Sequence, residues 1–343
     1  MRYMTRKILS ILLLCLLFAL AGCAVNSAAL PSPAQTAAYP DKYNNCYIQD
    51  GRIYLADGSG GWNDVTPANI PPGDTINSAL FINGNDGWVI DYSLKNLHGF
   101  TFFRTTDGGK NWDVSFVKIS LNSGGVEMDF IDSNNGWILA SQDASMGCLY
   151  VSVLRTTDGG VTWEVVSVTG GSDYDSTAGC LPSFGIKNGI SFIDVNNGWV
   201  TGESHYDDLI YVYVTHDGGV TWQSQNIPLP DTSTGMNYET NLPMFFSAGY
   251  GILPVRTSDG TNLTMYFYST TDSGMTWVLS STIDGISLSV CYPQYCFSSD
   301  GQRGYMTNGV SLYAMKNDAW SKITPSASLT GVQIIYVGGE AGW

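Results

Sequence analysis

The chain has 343 residues, of which 44% are hydrophobic, and carries 30 Asp and Glu against 15 Lys and Arg. Three of these cations and none of the acids precede Cys23, so the remainder holds 12 Lys and Arg against 30 Asp and Glu, a formal charge of −18. A surface of this sign repels nucleic acid and anionic lipid headgroups. The composition therefore excludes a nucleic-acid partner and favours neutral or cationic ones.

Residues 1–22 are predicted to be a lipoprotein signal peptide. Three basic residues stand before position 8, an apolar run covers 8–19, and Leu20–Cys23 matches a lipobox. An ordinary signal peptide or an uncleaved anchor helix would share the first two features. The small residues directly before Cys23 favour the lipobox, and the apolar run is short for a membrane span. We expect a lipidated Cys23 and an extracytoplasmic protein anchored in a membrane, on the cell surface or the periplasmic face.

Residues 23–44 comprise the lipidated cysteine and a flexible tether, since they are rich in Ala, Pro and Ser and show no periodicity. Residues 45–343 are sufficient for one large β domain.

An eight-residue motif recurs four times in this domain, at Thr105–Trp112, Thr156–Trp163, Thr215–Trp222 and Thr270–Trp277. The tryptophans are separated by 51, 59 and 55 residues, and such a period indicates a repeat architecture. Asp-Gly-Gly between two apolar runs is typical of a tight hairpin, and the exit Trp can pack between sheets. The residues predicted to have this structural role are Asp107, Trp112, Asp158, Trp163, Asp217, Trp222, Asp272 and Trp277.

A second element precedes each of these motifs. Phe130–Trp137 has counterparts at Phe81–Trp88 and Phe192–Trp199, each with an Asn-Gly or Asp-Gly turn between apolar runs. The two elements together predict a unit of four strands, with first strands near 79, 126, 189, 243 and 294. The fifth unit lacks the eight-residue motif and keeps only Trp320.

The four motifs resemble Asp-boxes, the repeats of bacterial sialidases, sortilin-type receptors and the lumenal propellers that assist photosystem II assembly. This resemblance implies an all-β fold, a β-propeller of four-stranded blades. Residues 46–67 supply strands two to four of a further blade and residues 331–338 its first strand, which closes a ring of six. Residues 340–343 look like the opening of another second strand, so the chain is alternatively a piece of a protein with seven or more blades.

The strand order puts the tight turns at one end of the blades and the longer connections at the other, where function usually lies. Aromatic and carboxylate side chains on these connections suit sugar or peptide recognition, although solvated loops would look the same. The candidate binding residues are Asp173, Tyr174, Asp175, His205, Tyr206, Asp207, Asp208, Tyr238 and Glu239.

No catalytic residue is assigned. A sialidase needs three arginines around a carboxylate, and after Cys23 the chain has only five, of which Arg104 and Arg155 directly precede Asp-boxes. The spacing of Cys and His fits no zinc site, and the Asp132–Asn134 segment lacks the later acid of a calcium loop. We expect no cofactor or metal, a monomer, and a non-enzymatic surface propeller that binds a protein or a glycan. The alternative is a divergent glycoside hydrolase of sialidase-like architecture.

Five cysteines follow Cys23, and an exported domain permits disulfides. Cys291 and Cys296 enclose a turn with Pro293 and are predicted to form a local bridge. Cys148 and Cys180 both map to the long connections and form the second predicted pair, which leaves Cys46 free.

Overall fold

The structure is a computed structural model, and it describes residues 46–57, 61–70, 75–92, 98–121, 125–170, 179–204, 206, 208–230, 235–287, 293–298, 300–308 and 310–324. All regular secondary structure in these residues is β-strand. No helix among them has the length and apolar character that a membrane span needs. The predicted signal peptide, the lipidated Cys23, the tether and the two C-terminal strand segments lie outside the described residues.

The first three sheets follow the chain. The N-terminal sheet consists of β1 (Cys46–Gln49), β2 (Arg52–Ala56) and β3 (Trp62–Asp64). Blade 1 consists of β4 (Thr75–Phe81), β5 (Gly87–Tyr92), β6 (Gly99–Thr105) and β7 (Asp113–Lys118). Blade 2 consists of β8 (Val126–Phe130), β9 (Gly136–Ser145), β10 (Cys148–Thr156) and β11 (Glu164–Val168).

The next three blades complete the described chain. Blade 3 consists of β12 (Ile186–Phe192), β13 (Gly198–Glu203), β14 (Val212–Thr215) and β15 (Gln223–Ser224). Blade 4 consists of β16 (Tyr238–Thr240), β17 (Met244–Phe245), β18 (Gly251–Ser258), β19 (Asn262–Thr270) and β20 (Val278–Ser287). Blade 5 consists of β21 (Gln294–Phe297), β22 (Arg303–Thr307), β23 (Leu312–Lys316) and β24 (Ala319–Ile323).

Blades 1, 2 and 5 are separate four-stranded antiparallel meanders, as the repeat predicts. Blades 3 and 4 repeat the antiparallel order but are joined into one sheet, because β13 pairs with β16 at Glu203 and Glu239. In blade 2, Phe130 at the end of β8 pairs with Gly136 at the start of β9. The turn between them is closed by a hydrogen bond from Ile131 N to Asn135 O, and the Asp132 carboxylate accepts the backbone N–H groups of Asn134 and Asn135. The Asp-Ser-Asn-Asn segment is therefore a capped turn, and the same pairing of Phe with Gly recurs in every blade.

Apolar side chains fill the space between successive blades. Trp88 of blade 1 stacks on Phe130 of blade 2 with ring centroids 3.7 Å apart, and Trp137 of blade 2 stacks on Phe192 of blade 3 at 3.7 Å. The innermost strands β4, β8 and β12 contact one another in turn. Four-stranded sheets that pack face to face in chain order around their first strands have the architecture of a β-propeller.

The four Asp-boxes are turns that also fasten neighbouring blades. In the second box, Thr156 Oγ1 donates to Asp158 Oδ1 at 2.7 Å and accepts Gly160 N at 2.9 Å, while Asp158 also accepts Thr162 N. Trp88 of the preceding blade donates its indole N–H to Gly159 O at 2.9 Å. The two glycines adopt φ of 75° and 92°, a region that other residues rarely enter. The first, third and fourth boxes repeat the bonds within the turn.

Hydrogen bonds between turns establish the two faces of the propeller. Gly159 N of an Asp-box donates to Asn134 O of the turn between strands one and two, and Gly218 N donates to Asn196 O in the same way. The Asp-box face is the end that carries these turns. The long-loop face is the opposite end, and among the described residues it carries 146–147, 181–185, 204, 206, 208–211, 235–237 and 259–261. Two of the longer connections also reach the Asp-boxes, because Gly179 O accepts Trp222 N and Gln225 donates its side-chain amide to Gly274 O.

The N-terminal sheet packs against blade 1. The thiol of Cys46 donates to Ala79 O, and Trp112 donates its indole N–H to Val65 O at 3.2 Å. The predicted partner of this sheet, residues 331–338, lies outside the described residues. The predicted closure of the ring at six blades stays a prediction.

Of the two predicted cysteine pairs, Cys148 with Cys180 can be compared with the structure. Cys148 is a free cysteine, so the predicted bridge to Cys180 is not formed in the structure. Leu149 N donates to Ser183 O and Gly185 N donates to Gly147 O, which brings the 183–185 segment beside Cys148. Cys180 lies instead beside Gly170, because Gly170 N donates to the carbonyl oxygen of Leu181, the next residue along the chain. Cys291 lies outside the described residues.

Candidate functional site

The long-loop face contains four described residues of the predicted site. They are Tyr206, Asp208, Tyr238 and Glu239. The other five predicted residues lie outside the described chain, namely Asp173, Tyr174, Asp175, His205 and Asp207.

Tyr206 is available to a ligand. Its side chain is 52% exposed, and its ring meets the buried ring of Phe184 edge-on at 5.5 Å between centroids. The backbone N–H of Tyr206 donates to Ser204 Oγ at 3.0 Å. The ring is thus packed against Phe184 and half exposed, as an aromatic contact residue of a binding surface would be.

The β9–β10 hairpin carries two further exposed side chains on this face. β9 has ten residues and β13 has six, and both start with Gly at the Asp-box face. The tip of the longer hairpin lies beside the segment that precedes β12, because Gly185 N donates to Gly147 O. Met146 at its tip is 99% exposed, and Tyr150 on β10 is 39% exposed. Nothing in the sequence pattern separated these two residues from other strand residues.

Asp208 connects two loops. Its backbone has φ of 60°, its N–H donates to Met236 O at 2.9 Å, and its carboxylate accepts Gly235 N at 2.8 Å. The connection between strands two and three of blade 3 is thereby tied to the connection that leads into blade 4. The carboxylate remains exposed, so Asp208 both orders the loops and contributes negative charge to the face.

Tyr238 and Glu239 are structural rather than exposed binding residues, which corrects the prediction. Tyr238 is 1% exposed and belongs to the core between blades 3 and 4. Glu239 accepts Arg256 Nε at 2.8 Å at one oxygen and the Arg256 guanidinium NH2 group at the other. Arg256 is itself 9% exposed. A bidentate pair of this kind fixes β16 on β18, where the two residues are direct cross-strand partners.

Lys187 is a residue of this face that sequence reasoning missed. Its ammonium donates to the carbonyl oxygens of Leu149, Ser183, Phe184 and Gly185 at 2.8–3.1 Å, and its side chain is 6% exposed. Burial lowers the pKa of Lys187 from 10.5 to about 7, while the charge of the nearby Cys148 acts in the opposite direction. Lys187 fastens the 183–185 segment, and with it the Phe184 ring below Tyr206, to blade 2.

The carboxylates of the Asp-boxes are committed to their turns. Hydrogen bonds from Asn111, led by its side-chain amide, lower the pKa of Asp107 to about 2. Burial raises the pKa of Asp158, but hydrogen bonds from Thr162 and Thr156 outweigh it and bring the value to about 2. These groups are ionised and hydrogen-bonded above pH 4, which fits the structural assignment. Across the described ranges, no cluster of three or more His, Cys, Asp or Glu could hold a metal ion.

The sequence comparison supports the repeat assignment. Residues 213–224, which contain the third Asp-box, match the family of BNR/Asp-box repeats. No curated protein matches the chain.

Several solved structures are similar to this chain. A structure described as YCF48 bound to D1 peptide is 16% identical, with 85% of this chain and 88% of that chain covered and a TM-score of 0.35. The GH74 enzyme of Niastella koreensis is 13% identical over 84% of this chain, with a TM-score of 0.48, and the match spans 47% of the enzyme. The GH93 α-L-arabinofuranosidase of Fusarium graminearum in complex with arabinobiose is 14% identical, with 77% and 84% covered and a TM-score of 0.42.

The repeats can be compared with one another directly. The matched box, residues 213–224, and the other three boxes share one set of hydrogen bonds, and each lies between strands three and four of a four-stranded blade. The chain therefore carries Asp-box repeats in a β-propeller fold.

Proposed function

We propose that the chain is a non-enzymatic surface propeller, anchored to a membrane through Cys23, which binds a protein or a glycan through its long-loop face. The proposal rests on which side chains of this face are engaged in hydrogen bonds and which expose apolar surface. Lys187, Glu239 and Arg256 are engaged with one another or with backbone carbonyls. Met146 and Tyr206 expose apolar surface to which a ligand can bind by contact.

The anchor supports a binding role at a surface. The lipobox Leu20–Cys23 and the segment 24–44 would hold the propeller outside the membrane on a tether. Several acyl chains on one cysteine anchor stably, whereas a single chain binds only marginally. A protein held in this way meets partners at the membrane surface, and exposed aromatic side chains on rigid loops are the usual means of contact.

A glycoside hydrolase remains the second candidate because of one observation. Glu203 and Glu239 are direct cross-strand partners, and retaining glycosidases use two carboxyl groups about 5–5.5 Å apart. Against this, both oxygens of Glu239 accept hydrogen bonds from Arg256. Glu239 would have to leave this pair before it could act as a nucleophile or an acid, so the geometry favours binding.

The experiment compares the two faces in the full chain. Tagged protein is isolated from detergent-solubilised membranes, and its bound partner is quantified; the same protein is applied to a glycan array and to a panel of glycosidase substrates. Replacing Met146 and Tyr206 by Ser should abolish the binding that wild type shows. Replacing Val161 and Met275, which are exposed on the Asp-box face, by Ser is the matched control and should leave binding unchanged.

Two results would overturn the proposal. If only the variant of the Asp-box face loses binding, the interface lies on the Asp-box face and the proposal is wrong. Turnover of any glycosidic substrate that disappears in Glu203→Gln would establish the hydrolase instead.

A further inference from the structure

The middle of the chain is far more acidic than the whole. Residues 126–287, which run from blade 2 to blade 4, contain 18 Asp and Glu and three Lys and Arg, a formal charge of −15. The other residues after Cys23 hold 12 Asp and Glu against nine Lys and Arg, so 15 of the 18 excess negative charges lie in three adjacent blades. Such a charge distribution creates a negative potential over one side of the molecule.

None of the three cations offsets this charge at the long-loop surface. Lys187 is buried among four carbonyl oxygens, and Arg256 is buried against Glu239. Arg155 lies near the Asp-box face, with its guanidinium carbon 5.7 Å from the centre of the Trp137 ring. The long-loop face of these blades therefore presents carboxylates to solvent without an exposed Lys or Arg beside them.

Two exposed carboxylates on this face, those of Asp143 and Asp208, lie near exposed apolar side chains. Asp143 lies directly across the β9–β10 hairpin from Tyr150, and Met146 occupies the tip of the same hairpin. Asp208 follows two residues after Tyr206 in the neighbouring loop of blade 3. A ligand on this surface can therefore contact a carboxylate together with the ring of Tyr150 or Tyr206 or the thioether of Met146.

We propose that the partner of this face is a protein segment rich in Lys and Arg, which docks its cations on the carboxylates and its side-chain stems on Met146, Tyr150 and Tyr206. This inference rests on the proposed binding function and specifies its partner. Lys and Arg have long aliphatic stems below a charged head, and they bind aromatic faces as well as carboxylates. A glycan, being neutral or anionic, would gain nothing from the charge.

The charge also predicts how such a complex behaves in salt. Exposed charge pairs are screened over a Debye length of about 8 Å at physiological ionic strength. Steering by opposite charge raises the association rate at low salt, and apolar contacts then limit the dissociation rate. We therefore expect binding that weakens with salt but depends on Tyr206 at all salt concentrations.

The test uses the full chain in detergent micelles and three fluorescent peptides of equal length, which alternate Lys and Tyr, Ser and Tyr, or Glu and Tyr. Fluorescence anisotropy should show binding of the Lys-Tyr peptide alone, with an affinity that falls as salt is raised. Asp143→Asn and Asp208→Asn should each weaken binding about 1.5- to 5-fold. Asparagine can still accept the Gly235 N–H, so the loop at position 208 should stay folded.

The matched control is Glu164→Gln, which removes an exposed charge of the same blade on the outer strand β11. It should leave the affinity for the Lys-Tyr peptide unchanged. An equal loss in Glu164→Gln would mean that the peptide senses only overall charge, and the proposed docking surface would be wrong.

The outcomes separate this inference from the proposed function. If the Ser-Tyr peptide or a glycan binds as well as the Lys-Tyr peptide and Tyr206→Ser abolishes it, the face binds ligands but not by charge, and only the inference fails. If no peptide or glycan responds to Tyr206→Ser, both fail.

Discussion

Asp158→Ala isolates the structural role of an Asp-box. The Asp158 carboxylate accepts three hydrogen bonds within the turn, from Thr156 Oγ1 at 2.7 Å, Thr162 N at 2.9 Å and Thr162 Oγ1 at 2.6 Å. Thr162 is exposed, so water replaces the two bonds that it donates. Thr156 is only 2% exposed, and its hydroxyl is left without this acceptor in a place that water does not reach.

The cost follows from that one buried donor. An unsatisfied buried polar group destabilises a protein by about 1–3 kcal/mol. For a domain of this size, each kcal/mol lowers the melting temperature by about 2–4 °C. Thermal unfolding, followed by circular dichroism and tryptophan fluorescence, measures the shift. Thr157→Ala is the control, because Thr157 is exposed in the same turn and its loss should change stability by no more than about 0.5 kcal/mol.

Two outcomes would refute this reasoning. If Asp158→Ala melts no lower than Thr157→Ala, the carboxylate does not hold the turn. If it melts normally but no longer binds the partner, the box is itself part of the binding site.

Three further predictions concern acid stability, the buried lysine and the anchor. The box carboxylates Asp107 and Asp158 have pKa values lowered from 3.8 to about 2, so the stability that they provide is present above about pH 4 and is lost as the pH falls towards 2. Melting curves recorded at several pH values should show this loss. The melting temperature of Asp158→Asn should fall less steeply with decreasing pH than that of wild type. Lys187 has a pKa lowered from 10.5 to about 7, so between these pH values the unfolded state binds more protons than the folded state. The free energy of unfolding should therefore rise with pH from about 7 to 10.5 in wild type but not in Lys187→Met. Mass spectrometry of the mature protein should find Cys23 modified by lipid, and Cys23→Ser should yield an uncleaved or released chain; an unmodified cysteine in wild type would contradict the lipobox.

The repeat motif predicted most of the fold. First strands were expected near 126, 189 and 294, and the structure has them at Val126–Phe130, Ile186–Phe192 and Gln294–Phe297. This succeeded because Asp-Gly-Gly and Asn-Gly turns determine their hairpins through local geometry, and the spacing of Phe and Trp sets the register around them.

The site was less predictable because its partners are distant in the chain. Tyr238 looks like a loop residue, but β16 pairs with both β13 and β18 and takes the side chain into the core. The pair of Glu239 with Arg256 depends on the same tertiary pairing. Lys187 binds backbone carbonyl oxygens, which a sequence pattern of side chains does not show. Its position within the strand β12, directly after Ile186, was the one available signal.

The most direct test of the central claim uses one residue type on both faces. A photo-crosslinking amino acid is introduced separately at Met146, 99% exposed on the long-loop face, and at Met275, 71% exposed on the Asp-box face, in the full chain in the cells that produce it. Irradiation should yield a discrete partner adduct from position 146 and none from position 275. An adduct from position 275 alone would contradict the assignment of the long-loop face as the binding surface.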